Sequence, residues 1–226
     1  MRTSMRAVCG AVALSMAASV ALAAGLSKKL KSRIDDASAV LIELHTAPDK
    51  DVPQELWDRA SCVIVIPSVK KAAFVFGGEY GKGLMSCRHA GEWSAPVFMD
   101  LGKGSWGLQV GAQSIDLVLL VMNESGAQKL LRNKVSLGAE ASVAGGPVGR
   151  DARAATDAQL KAEILSYSRT QGLFAGVNIS GGVIKPNVDD NIDLYGANTA
   201  PAKVVGGGDI RPPAEAEPFM VALRRK

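Results

Sequence analysis

The chain has 226 residues, of which 47% are hydrophobic, 21% charged and 5% aromatic. This composition suits one globular domain with a sizeable core, in which aliphatic side chains supply most of the apolar burial. The formal net charge of +4 is too small for bulk electrostatic capture of nucleic acid. Nucleic acid is therefore not an expected partner.

The first 23 residues have the pattern of a secretory signal peptide. Two arginines precede an apolar run, and Ala21 and Ala23 have the spacing of a cleavage site. Cleavage there leaves residues 24–226 as a single domain with 24 Lys and Arg against 22 Asp and Glu, a net charge of +2. Ala24 stands where a lipoprotein would need cysteine. The sequence thus predicts a periplasmic or secreted protein that is not a lipoprotein, with peripheral membrane association left open.

Two cysteines remain after the predicted cleavage, Cys62 and Cys87, and each falls in a predicted strand. An oxidising compartment favours a disulfide between them. The alternative is two buried free thiols that behave as small hydrophobic side chains.

An amphipathic helix is predicted at the start of the mature chain. Apolar residues recur there at spacings of three and four, which places them on one stripe: Leu26, Leu30, Ile34, Ala37, Leu41 and Leu44. Four cations occupy its first two turns, mostly off that stripe: Lys28, Lys29, Lys31 and Arg33. Such a segment either lies on an anionic membrane surface or docks its stripe on the core with a solvated basic face.

The middle of the chain reads as a series of strands and turns. The run from Cys62 to Pro67 predicts a buried strand, residues 68–71 a turn, and residues 72–78 the next strand. The segment from Gly77 to Gly83 predicts a glycine-rich hairpin, because its context fits neither the P-loop nor the dinucleotide fingerprint. A proline before Val97 and Phe98 places these two residues near a sheet edge.

The second half begins with the most apolar segment of the mature chain. Ile115 to Met122 is apolar on both faces and predicts a central strand. Asn123 to Arg132 starts with a capping residue and predicts a short helix. Helix formers fill Ala154 to Ser166, yet the residues from Ser166 to Ser180 resemble two strands separated at Gly172. The last residues predict a final short helix.

Two segments rich in glycine and alanine, Ala141 to Gly149 and Ala175 to Gly182, are predicted as strands with a nearly bare face. Either a helix packs on such a face or an acyl chain lies against it. The candidate pocket positions are Gly107, Gly111, Gly145, Gly146, Gly176 and Gly181. Together these elements predict an α+β fold, with a curved, mostly antiparallel sheet or barrel-like core packed by the N-terminal amphipathic helix and a few short helices.

No pattern indicates an enzyme. His45 and His89 lie in no nucleophile or metal motif, and no paired carboxylates occupy a recognisable scaffold. The acidic run of Asp189, Asp190 and Asp193 lacks the glycine and the closing glutamate of a calcium loop, so it is interpreted as charge at a helix N-terminus. We expect no catalytic residues, no metal and no cofactor.

Several ordered motifs carry a resemblance to a known family: KKAAFVFGGEYGKG, GEWSAP, GLQVGAQSIDLVLLVMNE, LGAEASVAGGPVGR and EILSYSRTQGLFAGV. In this order they resemble the SYLF domain family from about Leu26 to Tyr195. The resemblance implies a lipid-binding domain whose eukaryotic members bind phosphoinositides and in some cases actin filaments. It also implies that the N-terminal amphipathic helix takes part in membrane binding.

The predicted function is that of an exported, non-enzymatic protein that binds phospholipid or an anionic membrane surface. The candidate site is the basic amphipathic start of the helix: Leu26, Lys28, Lys29, Leu30, Lys31 and Arg33. Because an exported protein would not meet cytoplasmic actin in its own cell, actin is not expected as a partner. The alternative is a structural or protein-interaction module of the cell envelope without a specific lipid ligand.

Overall fold

The computed structural model describes residues 26–46, 52–73, 76–106, 111–131, 134–149, 161–170, 173–207 and 210–225. The predicted signal peptide lies outside these residues. The helices are α1 (Lys28–Thr46), α2 (Gln54–Arg59), α3 (Glu124–Leu130), α4 (Val188–Tyr195), α5 (Pro201–Val205) and α6 (Glu217–Leu223). Among the described residues, none of the helices combines the length and the apolar character that a membrane crossing requires.

The strands are β1 (Cys62–Ala73), β2 (Phe76–His89), β3 (Glu92–Trp93), β4 (Val97–Trp106), β5 (Gly111–Val121), β6 (Val135–Ser136), β7 (Val143–Gly145), β8 (Ile164–Thr170), β9 (Leu173–Gly176) and β10 (Gly182–Pro186). They form one sheet in the order β6, β10, β4, β2, β1, β5, β8, β7, while β3 pairs with β2 and β9 with β8. All pairings are antiparallel except β7 with β8. The sheet curls into a half-barrel, which confirms the α+β fold class.

Helices pack on both faces of the sheet, and alternate residues of the central strands point into two different cores. On β1, Val63 and Val65 pack under α1 and α6, while Ile64 and Ile66 face the side where α3 and α5 pack. β5 lies between β1 and β8, which confirms the prediction of a central strand for Ile115 to Met122. Burial on both faces explains why this strand is apolar throughout.

β1 and β2 are longer than the sequence predicts. β1 does not end at Pro67 but continues through residues 68–71, with an irregular register between Val65 and Lys70 and a positive φ of 51° at Ser68. The predicted hairpin at residues 77–83 is also wrong, because these residues pair with β4 inside one continuous strand. Hydrogen bonding to neighbouring strands on both sides outweighs the local turn signals of proline and glycine.

Other predictions in the second half have mixed outcomes. Val97 and Phe98 do not lie near an edge, because β4 pairs with β2 on one side and β10 on the other. The strand character from Ile164 onward is confirmed, as is the break near Gly172 between β8 and β9. Of the competing helix over residues 154–166, the part before residue 161 lies outside the described residues. The final helix is confirmed as α6.

The two remaining cysteines form a disulfide. Cys62 on β1 and Cys87 on β2 are paired residues of neighbouring antiparallel strands, with their Cα atoms 3.9 Å apart. Of the two alternatives that the sequence left open, the structure therefore has the cross-link and not the free thiols.

Candidate functional site

The helix α1 begins next to a serine that can satisfy free backbone donors. The backbone N–H of Leu30 donates to the Ser27 hydroxyl oxygen at 3.4 Å, and the N–H of Lys31 donates to the Ser27 carbonyl at 3.0 Å. Serine is favoured at this position because its side chain accepts hydrogen bonds from the first turn. The start of the helix is therefore fixed immediately before the run of cations.

The apolar stripe of α1 is docked on the core. Its fully or almost fully buried members are Leu30, Ile34, Ala37, Val40, Leu41 and Leu44. They pack on the sheet face that also carries Val65, Leu84 and Phe98, and α1 contacts the C-terminal helix α6. The folded protein thus has the docked form of the two alternatives that the sequence left open.

Three of the four predicted basic side chains point outward. Lys28, Lys29 and Lys31 are exposed, and none of them makes an ion pair within the part of the chain that the structure describes. The first turn of α1 contains no acidic residue. Since the helix macrodipole is positive at this end, the three ammonium groups lie where local electrostatics disfavours them. This arrangement gives the start of α1 a concentrated positive charge, which we call the basic face.

The other three predicted site residues point inward. Leu26 is partly buried against the core, and Leu30 is 2% exposed. Arg33 is 6% exposed, its guanidinium lies 5.2 Å from the centre of the Phe98 ring, and its Nη1 donates to the Asp190 carboxylate at 2.6 Å. The structure therefore does not bring these three side chains together with the lysines at the surface.

Asp190 is the residue on which this buried part of the site depends. It lies in the first turn of α4, which confirms the interpretation of the acidic run as charge at a helix N-terminus. Its carboxylate accepts from Arg33 and, at 3.1 Å, from Lys82 Nζ, which also lies 3.8 Å from Asp100. Burial raises the pKa of the Asp190 carboxyl, but the hydrogen bonds from the two cations outweigh burial, and the pKa is lowered. Asp190 therefore joins α1, β2 and α4 as a charged acceptor.

The glycines predicted to line a pocket occupy several different environments. A Cβ atom on Gly146 would lie 2.0 Å from the ring of Tyr167, and one on Gly176 would lie 2.1 Å from the Gly146 carbonyl oxygen. Likewise, a Cβ on Gly145 would lie 3.1 Å from backbone atoms of Gly176. Close approach within the protein therefore accounts for glycine at these three positions. An acyl chain at this place remains a prediction, and these contacts do not support it.

Of the other three pocket candidates, Gly181 and Gly111 belong to the described part of the chain. Gly181 has a φ of 82° in the turn before β10, a conformation that favours glycine. Gly111 opens β5 opposite Ala73, and Gly107 lies outside the described residues.

The two histidines contact an aromatic ring and a backbone carbonyl oxygen, respectively. The His45 ring packs edge-on against Trp57 with 4.5 Å between ring centres. His89 ends β2, and its Nε2 is hydrogen-bonded to the Val205 carbonyl oxygen. Within the described ranges, no three His, Cys, Asp or Glu side chains lie close enough to hold a metal ion.

Comparison with known proteins finds a matching family model and several relatives whose names include an SH3 domain. Residues 102–226 match the family model described as Ysc84, Las17-binding protein actin regulator. The chain is 37% identical to an SH3 domain-containing protein of Schizosaccharomyces pombe over 167 residues, which are 72% of this chain and 39% of that protein. It is 30% identical to LAS seventeen-binding protein 3 of Saccharomyces cerevisiae over 210 residues, which are 89% of this chain and 45% of that protein.

An animal relative shows a similar match. The chain is 29% identical to the SH3 domain-containing YSC84-like protein 1 of Xenopus laevis over 199 residues, 85% of this chain and 59% of that protein. The chain thus spans about half the length of the relatives it matches. The protein belongs to the Ysc84 family, whose domain is the SYLF domain.

This family membership corrects one expectation about partners. We expected actin not to be a partner, on the argument that an exported protein does not meet cytoplasmic actin. That expectation is wrong, because it conflicts with the description of the matching family as a Las17-binding actin regulator. Neither the family description nor the names of these relatives mention a lipid, and the surface of α1 is the feature that favours a membrane.

Proposed function

We propose that this protein is a non-enzymatic module that docks on anionic phospholipid surfaces through the basic face of α1, Lys28, Lys29 and Lys31. The observation that carries the proposal is that these three lysines are exposed and unpaired among the described residues, at a helix end that already has positive potential. Each lysine near an anionic membrane surface contributes about 1 kcal/mol of attraction, which salt weakens.

The apolar burial of α1, compared with the attraction of its lysines to a membrane, favours a helix that stays docked on the core while it binds. Exposing a buried leucine, isoleucine or valine costs about 1.5 to 3 kcal/mol each, and five such side chains of α1 are buried in the core. Three surface lysines supply about 3 kcal/mol in total. Because the stripe is already buried in the core, insertion into a bilayer would give it no further apolar burial and would expose the sheet face beneath it. The membrane contact is therefore made by the lysines and not by the apolar stripe.

Sedimentation with vesicles tests this proposal. We expect the full mature chain to pellet with vesicles of phosphatidylcholine and phosphatidylglycerol and to stay in solution with phosphatidylcholine alone. Replacing Lys28, Lys29 and Lys31 by Gln should weaken binding about 100-fold, since about 1 kcal/mol is lost per lysine.

A control variant removes the same charge elsewhere. Lys134, Lys185 and Lys203 are exposed and make no ion pair in the described parts of the chain, so their replacement by Gln lowers the net charge equally. This variant should keep most of the affinity for anionic vesicles. Equal losses in the two triple variants would contradict a site on α1 and would indicate attraction by net charge alone.

We propose further that the protein is exported, with residues 1–23 removed, and works in a periplasmic or extracellular space. The disulfide between Cys62 and Cys87 supports this location, because disulfides persist in oxidising compartments. Intact mass measurement of the protein recovered from its native cell tests the proposal. The expected mass is that of residues 24–226 with two hydrogens lost, and retention of residues 1–23 would contradict it.

Binding to actin filaments is a second candidate function, and the description of the family as an actin regulator supports it. Co-sedimentation with actin filaments is the direct assay. If this function holds, the wild-type chain pellets with filaments in the absence of vesicles. Recovery of the chain in the supernatant at saturating filament concentrations would count against it.

A further inference from the structure

A tyrosine on the same face of the sheet as α1 lies between two grooves. Tyr80 on β2 is 50% exposed, an unusual degree for a large aromatic side chain inside a paired strand. It contributes to the walls of both grooves. The first groove shares one residue, Lys29, with the basic face of α1, and the second groove shares none.

The first groove runs between α1 and the bulged part of β1. It has a volume of about 310 Å³, and its lining includes Lys29, Asp36, Lys70 and Tyr80. The second groove, of about 560 Å³, lies on the other side of Tyr80 above β4 and β10. Its lining includes Asp100, Gly102, Val183, Lys134 and Lys185.

Each groove contains two lysines without an ion-pair partner. Lys29 and Lys70 lie in the first groove, and Lys134 and Lys185 lie in the second; none of the four makes an ion pair in the described ranges. The Arg33 and Lys82 side chains are different, because Asp190 and Asp100 neutralise them. The two grooves therefore present positive charge on both sides of the Tyr80 ring.

The floor beside the ring is bare backbone. One row of directly paired residues crosses four strands: Lys70 on β1, Tyr80 on β2, Gly102 on β4 and Val183 on β10. Three strand spacings amount to about 14 Å. A Cβ on Gly102 would have no atom within 4 Å, so the space next to Tyr80 is open. Glycine in a strand marks a place where a partner can come close to the backbone.

We propose that this row binds a linear acidic oligosaccharide, with the face of one sugar ring on Tyr80 and carboxylates of neighbouring sugars in the two grooves. A tyrosine offers a large, rigid contact area at low entropic cost. Ammonium groups form charge-assisted hydrogen bonds with carboxylates. The proposal shares Lys29 with the proposed membrane contact but does not depend on it, because the remaining residues of the row and grooves lie outside the basic face of α1.

Two other polyanions fit the row less well. Single-stranded nucleic acid is bound by several aromatic side chains that stack successive bases, whereas this row contains one. A polyphosphate chain has the charge but no flat apolar face to cover Tyr80 and the bare floor. A saccharide with one carboxylate per ring supplies both.

Calorimetry of the full mature chain with hexagalacturonic acid tests the proposal. We expect saturable binding that is absent with the fully methyl-esterified hexasaccharide, which has the same rings and no charge. Binding should also exceed that of a polyphosphate of equal charge. Tyr80→Ala should weaken binding about 10-fold or more, whereas Tyr80→Phe should retain it. Lys70→Gln and Lys185→Gln should each weaken it several-fold.

Matched controls keep the test decisive. Lys203→Gln removes one exposed charge on α5, away from both grooves, and should leave binding unchanged. Urea unfolding of each variant identifies any loss that comes from misfolding. The proposal is overturned if the acidic hexasaccharide does not bind, if polyphosphate or oligothymidylate binds equally well, or if Tyr80→Ala weakens binding no more than Lys203→Gln does.

Discussion

Lys31 and Arg33 are two residues apart on α1 and both are cations, yet Lys31 is exposed and Arg33 is buried between Phe98 and Asp190. The difference follows from helix geometry, because residues two apart lie on different sides of a helix. A basic amphipathic segment that looks uniform in sequence is thus divided into two regions. The inward region holds the fold together, and the outward region is free to bind.

The largest expected effect comes from the inward cation. Arg33→Ala should lower the free energy of unfolding by about 3 to 5 kcal/mol, because it leaves the Asp190 carboxylate with only one of its cations in a largely buried place. Lys31→Ala is the matched control and should change stability by less than about 0.5 kcal/mol. Equilibrium urea unfolding measures both. Similar losses in the two variants would remove the distinction between the regions.

The apolar part of the inward region should follow in size. Leu30→Ala should cost about 3 kcal/mol, since Leu30 is 2% exposed and its truncation leaves a cavity under α1. Leu26→Ala, at a partly buried position before the helix, should cost clearly less. Thermal unfolding compares the two leucines. A larger destabilisation from Leu26→Ala than from Leu30→Ala would contradict this account.

The ion pair should also appear in the acid stability of the protein. The pKa of Asp190 is lowered below its ordinary value of 3.8, so its contribution to stability is fully present above that value and is lost as the pH falls through the lowered pKa of the folded state. The stability difference between wild type and Asp190→Asn should therefore shrink as the pH drops below 3.8. A difference that is constant from neutral to acid pH would show that the charge of Asp190 contributes nothing.

The smallest expected effect has the opposite sign. Lys29→Glu should raise the free energy of unfolding by about 0.5 kcal/mol, because an acid in the first turn of α1 suits the helix macrodipole and a lysine does not. The same change should weaken binding to anionic vesicles. A loss of stability would contradict this expectation. It would show that Lys29 stabilises the fold and belongs to the inward region.

The sequence predicts the fold wherever a local pattern and the tertiary environment agree. The stripe of α1 and the two-faced strand from Ile115 to Met122 are such places. The course of β1 past Pro67 and of β2 through its glycines was mispredicted, because pairing with strands on both sides overrides local turn propensity. No local pattern contains that information.

The same limit applies to the candidate site. The lysines of the basic face follow from helical periodicity alone, but the inward orientation of Arg33 depends on Asp190, which is 157 residues away in sequence. The acidic run that contains Asp190 was visible as a helix start, yet its partner could not be identified without the tertiary structure. The grooves beside Tyr80 likewise arise from residues of separate strands that only the sheet brings together.

Hydrogen exchange of α1 in the presence of anionic vesicles tests the central claim most directly. The claim is that the helix binds through its outward lysines while its inward side stays in the core. The predicted result is that the amides from Leu30 to Leu44 remain as protected with vesicles as without them. Replacing the three lysines should weaken binding about 100-fold without changing this protection. Loss of protection along α1 together with α6, its neighbour in the core, would show that the helix leaves the domain to bind, and would contradict the claim.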